Sequence, residues 1–472
     1  MVKFGTGGWR AIIGDDFTKH NLLLLGTAVA HKIHSEKAED KGIVIGYDRR
    51  FLSSQSAIWM AELMAGENIK CKIITFEAPT PLIMYAVKYY DCPYGMAITA
   101  SHNPAIYNGV KLFTKGGRDA DEVVTGELEV IIEKVTNENK PYNIVPYEEG
   151  LKSGMIEVVN PQNAYLDSII GSVDMEAISK RSLRVCLDPM YGVSKTSLQI
   201  VLLTARCDVE VIHDRHDTLF GGRLPAPTAK TLFALQNYVV EHHMDVGIAT
   251  DGDADRLGII DDKGNFVHPN QILVILYYYL MKYKNWRGAV VRNNSTTHML
   301  DKVAKAFGQE CIEVPVGFKY ISAGMDKYDA IIGGESSGGL TVKGHISGKD
   351  GIYAATLLIE MLAITGRKLS EIYKDITDEF GDLMVSECDF RFSMEKKAEI
   401  LKIIMEDKSL PTFPYEIEKV SYRDGCKVYF KNGGWVICRF SGTEALLRIC
   451  CEMTTQEDAD KVCDIIKDFI NL

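Results

Sequence analysis

The sequence predicts an α/β protein in which three similar mixed α/β domains and a C-terminal α+β domain stand around a central cleft. Three observations carry that prediction. Short apolar, β-rich runs alternate with helical stretches over most of the 472 residues, the pattern of parallel α/β units. Near Ile376 the pattern changes to strand, strand, strand, helix. Finally, three of the apolar runs lead straight into a polar, small-residue loop: AITASHNP, GIATDGDADR and IIGGESSGG. Ligand sites in open α/β sheets lie beyond the carboxyl ends of strands. Three such loops in three similar blocks therefore imply a shared cleft that the fourth block closes.

Taken in order, the strand signals are GIVIG at Gly42 to Gly46, the run Gly95 to Ile98, RVCL at Arg184 to Leu187, DVGIA at Asp245 to Ala249, GAVV at Gly288 to Val291 and DAII at Asp329 to Ile332. Helical segments such as Leu22 to Ile33 and Ser194 to Leu203 lie between them. Asn137 to Val145, polar and broken by Pro141, reads as a connector. The last block offers strands at Lys427 to Phe430, Trp435 to Phe440 and Leu446 to Glu452, then a helix from Gln456 to Ile470. The expected domains are residues 1–145, 158–262, 263–374 and 375–472.

Bulk composition narrows the function classes. Hydrophobic residues at 46% and charged residues at 25% match a globular protein, and the length suggests about three domains. No apolar run approaches the ~18 residues that span a bilayer. The longest, Ile272 through Met281, holds three tyrosines and reads as a buried helix. The N-terminus MVKFGTGGWR has no apolar signal core. Eleven cysteines without framework spacing read as reduced thiols in a cytoplasmic protein. A net charge of −11 argues against nucleic acid, while local Arg and Lys still permit an anionic small substrate.

The loops carry the chemistry. In Asp251-Gly252-Asp253-Ala254-Asp255-Arg256 three carboxylates at alternate positions repel one another unless a cation sits among them. Hard oxygen donors select magnesium, calcium or manganese over zinc. A calcium hand needs glycine at its sixth position, where this loop has Arg256, and flanking helices rather than strands. A solvated acidic turn is the bland alternative. Arg439-Phe440-Ser441-Gly442-Thr443-Glu444 can form a nest of donors for a phosphate dianion; the alternative is a polar hairpin turn. In Gly333-Gly334-Glu335-Ser336-Ser337-Gly338-Gly339 the glycines allow close backbone approach, and a carboxylate faces potential sugar hydroxyls, although a flexible Gly-Ser turn fits equally well. Downstream, His345 and Lys349 add a candidate phosphate-facing cation.

Ser101, in TASHNP, is expected at a sharp, exposed corner, because Pro104 keeps Asn103 out of the helical region. A serine hydroxyl is a poor nucleophile without a base or metal, and G-x-S-x-G is absent. If the three-Asp loop lies opposite, a phosphoserine bridging to an ion fits, with Arg256 neutralising the transferring phosphoryl. An ordinary turn serine remains the alternative.

Together, TASHNP (Thr99 to Pro104), DGDADR (Asp251 to Arg256), GGESSGG (Gly333 to Gly339) and RFSGTE (Arg439 to Glu444) resemble, in order, the four signature loops of the α-D-phosphohexomutases. FGTGGWR at Phe4 to Arg10 resembles the opening motif of that family. The resemblance implies phosphoryl exchange between Ser101 and a hexose phosphate through a 1,6-bisphosphate. It implies one Mg²⁺ per chain, held by Asp251, Asp253, Asp255 and a phosphoserine oxygen, and glucose 1,6-bisphosphate as activator. Arg10, Lys111 and His102 join Ser101 as catalytic candidates, Arg10 and Lys111 for the proton of the reacting oxygen. Glu335 and Ser337 would read sugar hydroxyls. Arg256, Lys319, His345, Lys349, Arg439, Ser441, Gly442 and Thr443 complete the substrate set, the last four gripping the non-reacting phosphate. Gly317-Phe318-Lys319 and His345 to Gly351 resemble phosphoglucomutases more than phosphomannomutases, and TASHNP in place of SASHNP speaks against a phosphoglucosamine mutase. The expected partners are sugar phosphates alone, with no nucleic acid or membrane, for a monomer or homodimer.

Overall fold

A computed structural model describes residues 2–138, 140–440 and 445–471. Four sheets organise the chain. The first is seven-stranded and mixed, running Trp9–Ile12, Tyr107–Thr114, Tyr94–Ile98, Ile43–Tyr47, Cys71–Glu77 and Ile156–Val158, with Arg118–Asp119 beside Tyr107–Thr114. Its last strand pairs in parallel with Cys71–Glu77, so this sheet reaches beyond residue 145. The second runs Phe266–Val267, Leu257–Ile260, Val246–Thr250, Arg184–Asp188 and Asp208–Val211. The third has four strands, Cys311–Val314, Val290–Asn293, Ile332–Gly334 and Leu340–Val342. The fourth is antiparallel throughout: Met384–Arg391, Leu446–Met453, Trp435–Phe440, Cys426–Phe430 and Ile417–Ser421.

One rule recurs in the first three sheets. A strand paired in parallel on one side turns back through a polar loop into an antiparallel neighbour. The loops so formed lie after Ile98, Thr250 and Gly334. The strands feeding them are wholly buried, YGMAI, VGIAT and IGG, as expected where both faces are covered. Helices do the covering. Lys19–Ser35 starts at Thr18, whose hydroxyl accepts the Asn21 amide, a normal N-cap. Pro269–Lys282 is buried over nearly its whole length, including the three tyrosines. In the last block, Gln456–Phe469 packs its apolar stripe on the antiparallel sheet.

The blocks are joined by polar contacts near the loops. The Thr80 amide donates to the Asp253 carbonyl at 2.9 Å, the Leu257 amide to Gly338 at 3.0 Å and the Gly351 amide to Ala254 at 3.1 Å. The fourth block is held to the third by Lys427 on Glu313 (2.8 Å), by the His298 amide on Glu452 (2.8 Å) and by the Val316 amide on Asp424 (2.8 Å). The first unit thus meets the second, the second meets the third, and the third meets the fourth. Among the described residues, no helix is long and apolar enough to cross a membrane.

Candidate active site

The loop after Tyr94–Ile98 brings Ser101 against the loop after Val246–Thr250. Ser101 Oγ donates to Asp251 Oδ2 at 2.7 Å and lies 3.2 Å from His102 Nδ1. The serine is fully buried rather than at an exposed corner. The corner exists, since Ser101 has φ +53°, but the aspartate loop covers it.

Asp251, Asp253 and Asp255 form one buried cluster in which one carboxylate oxygen from each lies within 4.8 Å of the other two. Gly252 lets the loop approach the serine; a Cβ there would stand 2.8 Å from the Ser101 carbonyl oxygen. Ala254 takes a left-handed φ of +63°, and Asp251 Oδ1 accepts the Asp255 and Arg256 amides at 3.1 Å each. Two lysines of the chain also bring positive charge to the carboxylates. Lys111 Nζ donates to Asp253 at 2.6 Å and Asp255 at 2.5 Å, and Lys349 pairs with Asp255 at 3.0 Å. One oxygen each of Asp253 and Asp255 stays buried without a hydrogen-bond partner. Oxygen donors of this kind, clustered and partly unsatisfied, fit a hard divalent ion.

Charge is unevenly held. Burial and the carboxylates of Asp253 and Asp255 push Asp251 well above the usual aspartate range. Burial acts the same way on Asp255, but Lys111, Lys349 and Arg256 overcome it and hold that carboxyl well below its ordinary value. Burial would lower Lys111, yet Asp253 and Asp255 raise it above an ordinary lysine. Arg10 moves down, through burial and the nearby Arg256, and donates to the Asn103 side chain at 2.7 Å. Burial, Arg256 and Arg10 drop His102 well below its usual value, which leaves a neutral ring beside Ser101. Arg10 and Lys111, the two proton carriers expected, are thus shifted in opposite directions.

The remaining candidates are distributed as follows. Lys349 reaches the aspartate cluster. Glu335 is buried and accepts the Asn293 side chain and the Gly317 amide, each at 3.0 Å. Ser337 is exposed. Lys319 is bound to Glu122 of the first block at 2.9 Å. His345 is not brought to the cluster: its buried ring bonds Asp350 at 2.6 Å, beside the Tyr165 hydroxyl on the same carboxylate. That aspartate caps the helix Gly351–Thr365, so the ring is part of a capping network. Arg439 pairs with Asp424 at 3.1 Å, and Asp424 accepts the Val316 amide next to Gly317. Ser441, Gly442 and Thr443 lie outside the described residues.

Sequence reasoning missed Asp48, Arg50 and Thr99, which lie directly behind Ser101. Asp48 accepts the Thr99 hydroxyl at 2.6 Å, and Arg50 donates to the Ser101 carbonyl at 2.6 Å. The available signal was Tyr47-Asp48-Arg49-Arg50 at the carboxyl end of the strand Ile43–Tyr47. The placement that singled out the other loops applies here as well.

Comparison with known proteins follows the same four-part division. Models described as phosphoglucomutase/phosphomannomutase α/β/α domains I, II and III match residues 1–139, 163–264 and 268–380, and that family's C-terminal domain matches 391–469. A phosphoglucomutase/phosphomannomutase of Thermococcus kodakarensis is 29% identical, covering 98% of this chain and 97% of its own length. A protein of Methanosarcina acetivorans named probable phosphoglucosamine mutase is 32% identical, covering 100% and 99%. Among solved structures, a Thermus thermophilus protein described as a phosphomannomutase superposes with a TM-score of 0.85 at 28% identity, covering 100% and 99%. The open form of a Paramecium phosphoglucomutase shares the fold at a TM-score of 0.81 and 23% identity, covering 100% and 95%. The resemblance carried by the signature loops is borne out over the full length. The chain belongs to the phosphoglucomutase/phosphomannomutase family of α-D-phosphohexomutases, isomerases that transfer a phosphoryl group within one sugar.

Proposed function

We propose that this enzyme interconverts glucose 1-phosphate and glucose 6-phosphate through a phosphoserine at Ser101 and glucose 1,6-bisphosphate, which also serves as activator. The observation that carries the reading is the contact between Ser101 Oγ and Asp251, at 2.7 Å, inside a buried cluster of three aspartates. Phospho-Ser101 would give its phosphoryl to O6 of glucose 1-phosphate, whose proton passes to a site base. After the bisphosphate reverses in the cleft, its 1-phosphoryl returns to Ser101 and O1 regains a proton.

Asp251, Asp253 and Asp255, with the phosphoserine, would hold Mg²⁺, which when bound withdraws negative charge from the transferring group. Around it, Arg256 and Lys349 supply fixed positive charge. Arg10 and Lys111 would handle the proton of the reacting oxygen, Lys111 also serving as counter-ion to Asp253 and Asp255, with the neutral His102 beside the serine oxygen. Glu335, buried beside Gly317, would accept sugar hydroxyls, with Ser337 two residues on. Arg439 and the loop Ser441 to Thr443 would grip the phosphate that does not react, its binding energy being used for orientation. Lys319 and His345 support these loops. The functional division would follow the four units expected, with Ile156–Val158 added to the first and Phe266–Val267 to the second, and eleven unpaired cysteines suit a cytoplasmic setting.

A second reading concerns the sugar. Relatives named probable phosphoglucosamine mutase reach 32% identity, so glucosamine 1-phosphate competes with glucose, and mannose 1-phosphate remains a side activity. The test is a coupled assay of the three sugar 1-phosphates with trace bisphosphate, with inorganic phosphate measured alongside. Glucose 1-phosphate should give the highest kcat/KM without phosphate release. A preference for glucosamine would move the assignment within the family. Stoichiometric phosphate release would mean a metal-dependent phosphomonoesterase instead.

A further inference from the structure

We propose that Arg50 is a positioning residue for phosphoryl transfer: its guanidinium fixes the Ser101 loop from behind and keeps the serine oxygen against the aspartate loop. This inference rests on Ser101 being the phosphoryl carrier. Arg50 Nη2 donates to the carbonyls of Ser101 at 2.6 Å and Asn103 at 2.7 Å, and Nη1 to those of Pro104 at 2.9 Å and Tyr107 at 3.0 Å. One planar fork therefore ties four carbonyls of a seven-residue loop, geometry that an ammonium cannot reproduce. The group is buried, with Asp48 Oδ2 3.4 Å from its Nε and the Phe220 ring 4.8 Å from its guanidinium carbon.

The loop needs such a restraint. A serine at φ +53° occupies a region that non-glycine residues seldom adopt and that persists only when its surroundings impose it. Asp48 provides the other half of the restraint. It accepts the Thr99 hydroxyl at 2.6 Å, and the same hydroxyl oxygen accepts the Ser101 amide at 2.9 Å. The amide and the carbonyl of Ser101 are thus both anchored to one Asp48–Arg50 pair. Phe220 belongs to the second block and also faces Gly252, whose Cβ position lies 3.5 Å from that ring. The restraint consequently spans both halves of the reacting site. A carrier that gives and regains a phosphoryl must present its oxygen in line twice per cycle, and an error of about 1 Å costs about 100-fold in rate.

The experiment uses the full-length, Mg²⁺-supplemented enzyme and compares wild type with Arg50→Lys, Thr99→Val and Ser101→Ala. Readouts are kcat and KM for glucose 1-phosphate, intact mass for bound phosphate, the thermal midpoint, and amide exchange across residues 99–109. Arg50→Lys should lower kcat about 100-fold with KM within about threefold, and should speed exchange in that loop alone. Thr99→Val, nearly isosteric, should show the same signature at about tenfold in kcat. The inference is overturned if kcat in both variants stays within threefold of wild type, or if KM and the thermal midpoint collapse together with kcat in both. Turnover by Ser101→Ala, or wild-type protein that never carries phosphate, would instead remove the carrier reading on which the inference stands.

Discussion

Replacing Gly252 by alanine drives a methyl group into the seam between the serine loop and the aspartate loop. The new Cβ would lie 2.8 Å from the Ser101 carbonyl oxygen, where ordinary contact begins at 3.4 Å. The seam must open by about 0.6 Å, the difference between those two distances. Retreat to the other side is blocked, because Phe220 and Pro225 already stand at 3.5 Å from the same position. The Ser101 carbonyl is itself tied to Arg50, so the displacement passes to the serine. With about 100-fold lost per ångström of misplacement, 0.6 Å corresponds to roughly tenfold or somewhat more in kcat. Overpacking costs about 1–3 kcal/mol of stability. Gly252 is outside the left-handed region, so alanine adds no backbone strain of its own. Steady-state kcat and KM for glucose 1-phosphate, with a thermal melt as control, decide the matter. A variant with kcat within twofold of wild type and an unchanged midpoint would show that the seam is not rigid, and the geometric argument would fail.

Three other outcomes follow from the same contacts. Asp253→Asn should reduce turnover at least about 100-fold with a small change in the melting midpoint, since Lys111 retains Asp255; near-normal activity of wild type in metal-depleted buffer would refute the metal assignment. Lys111→Met leaves the buried Asp253 without its counter-ion, while Asp255 keeps Lys349, and should cost about 3–5 kcal/mol in chelator. Added Mg²⁺ should restore much of that loss by binding the folded state, seen as a larger rise in midpoint than wild type shows. Burial lowers His268, which caps the helix Pro269–Lys282, to about 4. The unfolded chain binds that proton near pH 6.5 and the folded chain near pH 4, so stability is full above about pH 6.5 and falls as pH drops toward 4. At about 1.4 kcal/mol per pH unit the loss approaches about 3 kcal/mol. Urea midpoints between pH 7 and 4.5 should fall less steeply in His268→Asn, and equal slopes would contradict the assignment.

The parts legible in sequence were those whose signal is local. A buried strand that stops at serine, aspartate or glycine is visible as a change in polarity, and this located the loops after Ile98, Thr250 and Gly334. Two strands of the last sheet were missed. Met384–Arg391 and Ile417–Ser421 lie at its edges, the first alternating half-buried and exposed residues from Ser386 onward and the second mostly exposed, so no apolar run marks them. The burial of Ser101 depends on a loop 150 residues away, and the place of Lys111 depends on Asp253 and Asp255, equally remote. Contacts between distant segments leave no trace in local spacing. Asp48 and Arg50 are a different case, because they end a strand in the same manner as the other loops. Their charges follow the strand directly, and the structure gives them a buried carbonyl and a hydroxyl to bind.

Lys111 has a consequence for how the protein comes together. Three acids packed between two blocks would ordinarily oppose the approach of those blocks. Here the strand Tyr107–Thr114 carries an ammonium into the gap from the opposite side. The attraction that seats the first block on the second is therefore written into the polypeptide, and assembly of the cleft does not have to wait for an ion from outside.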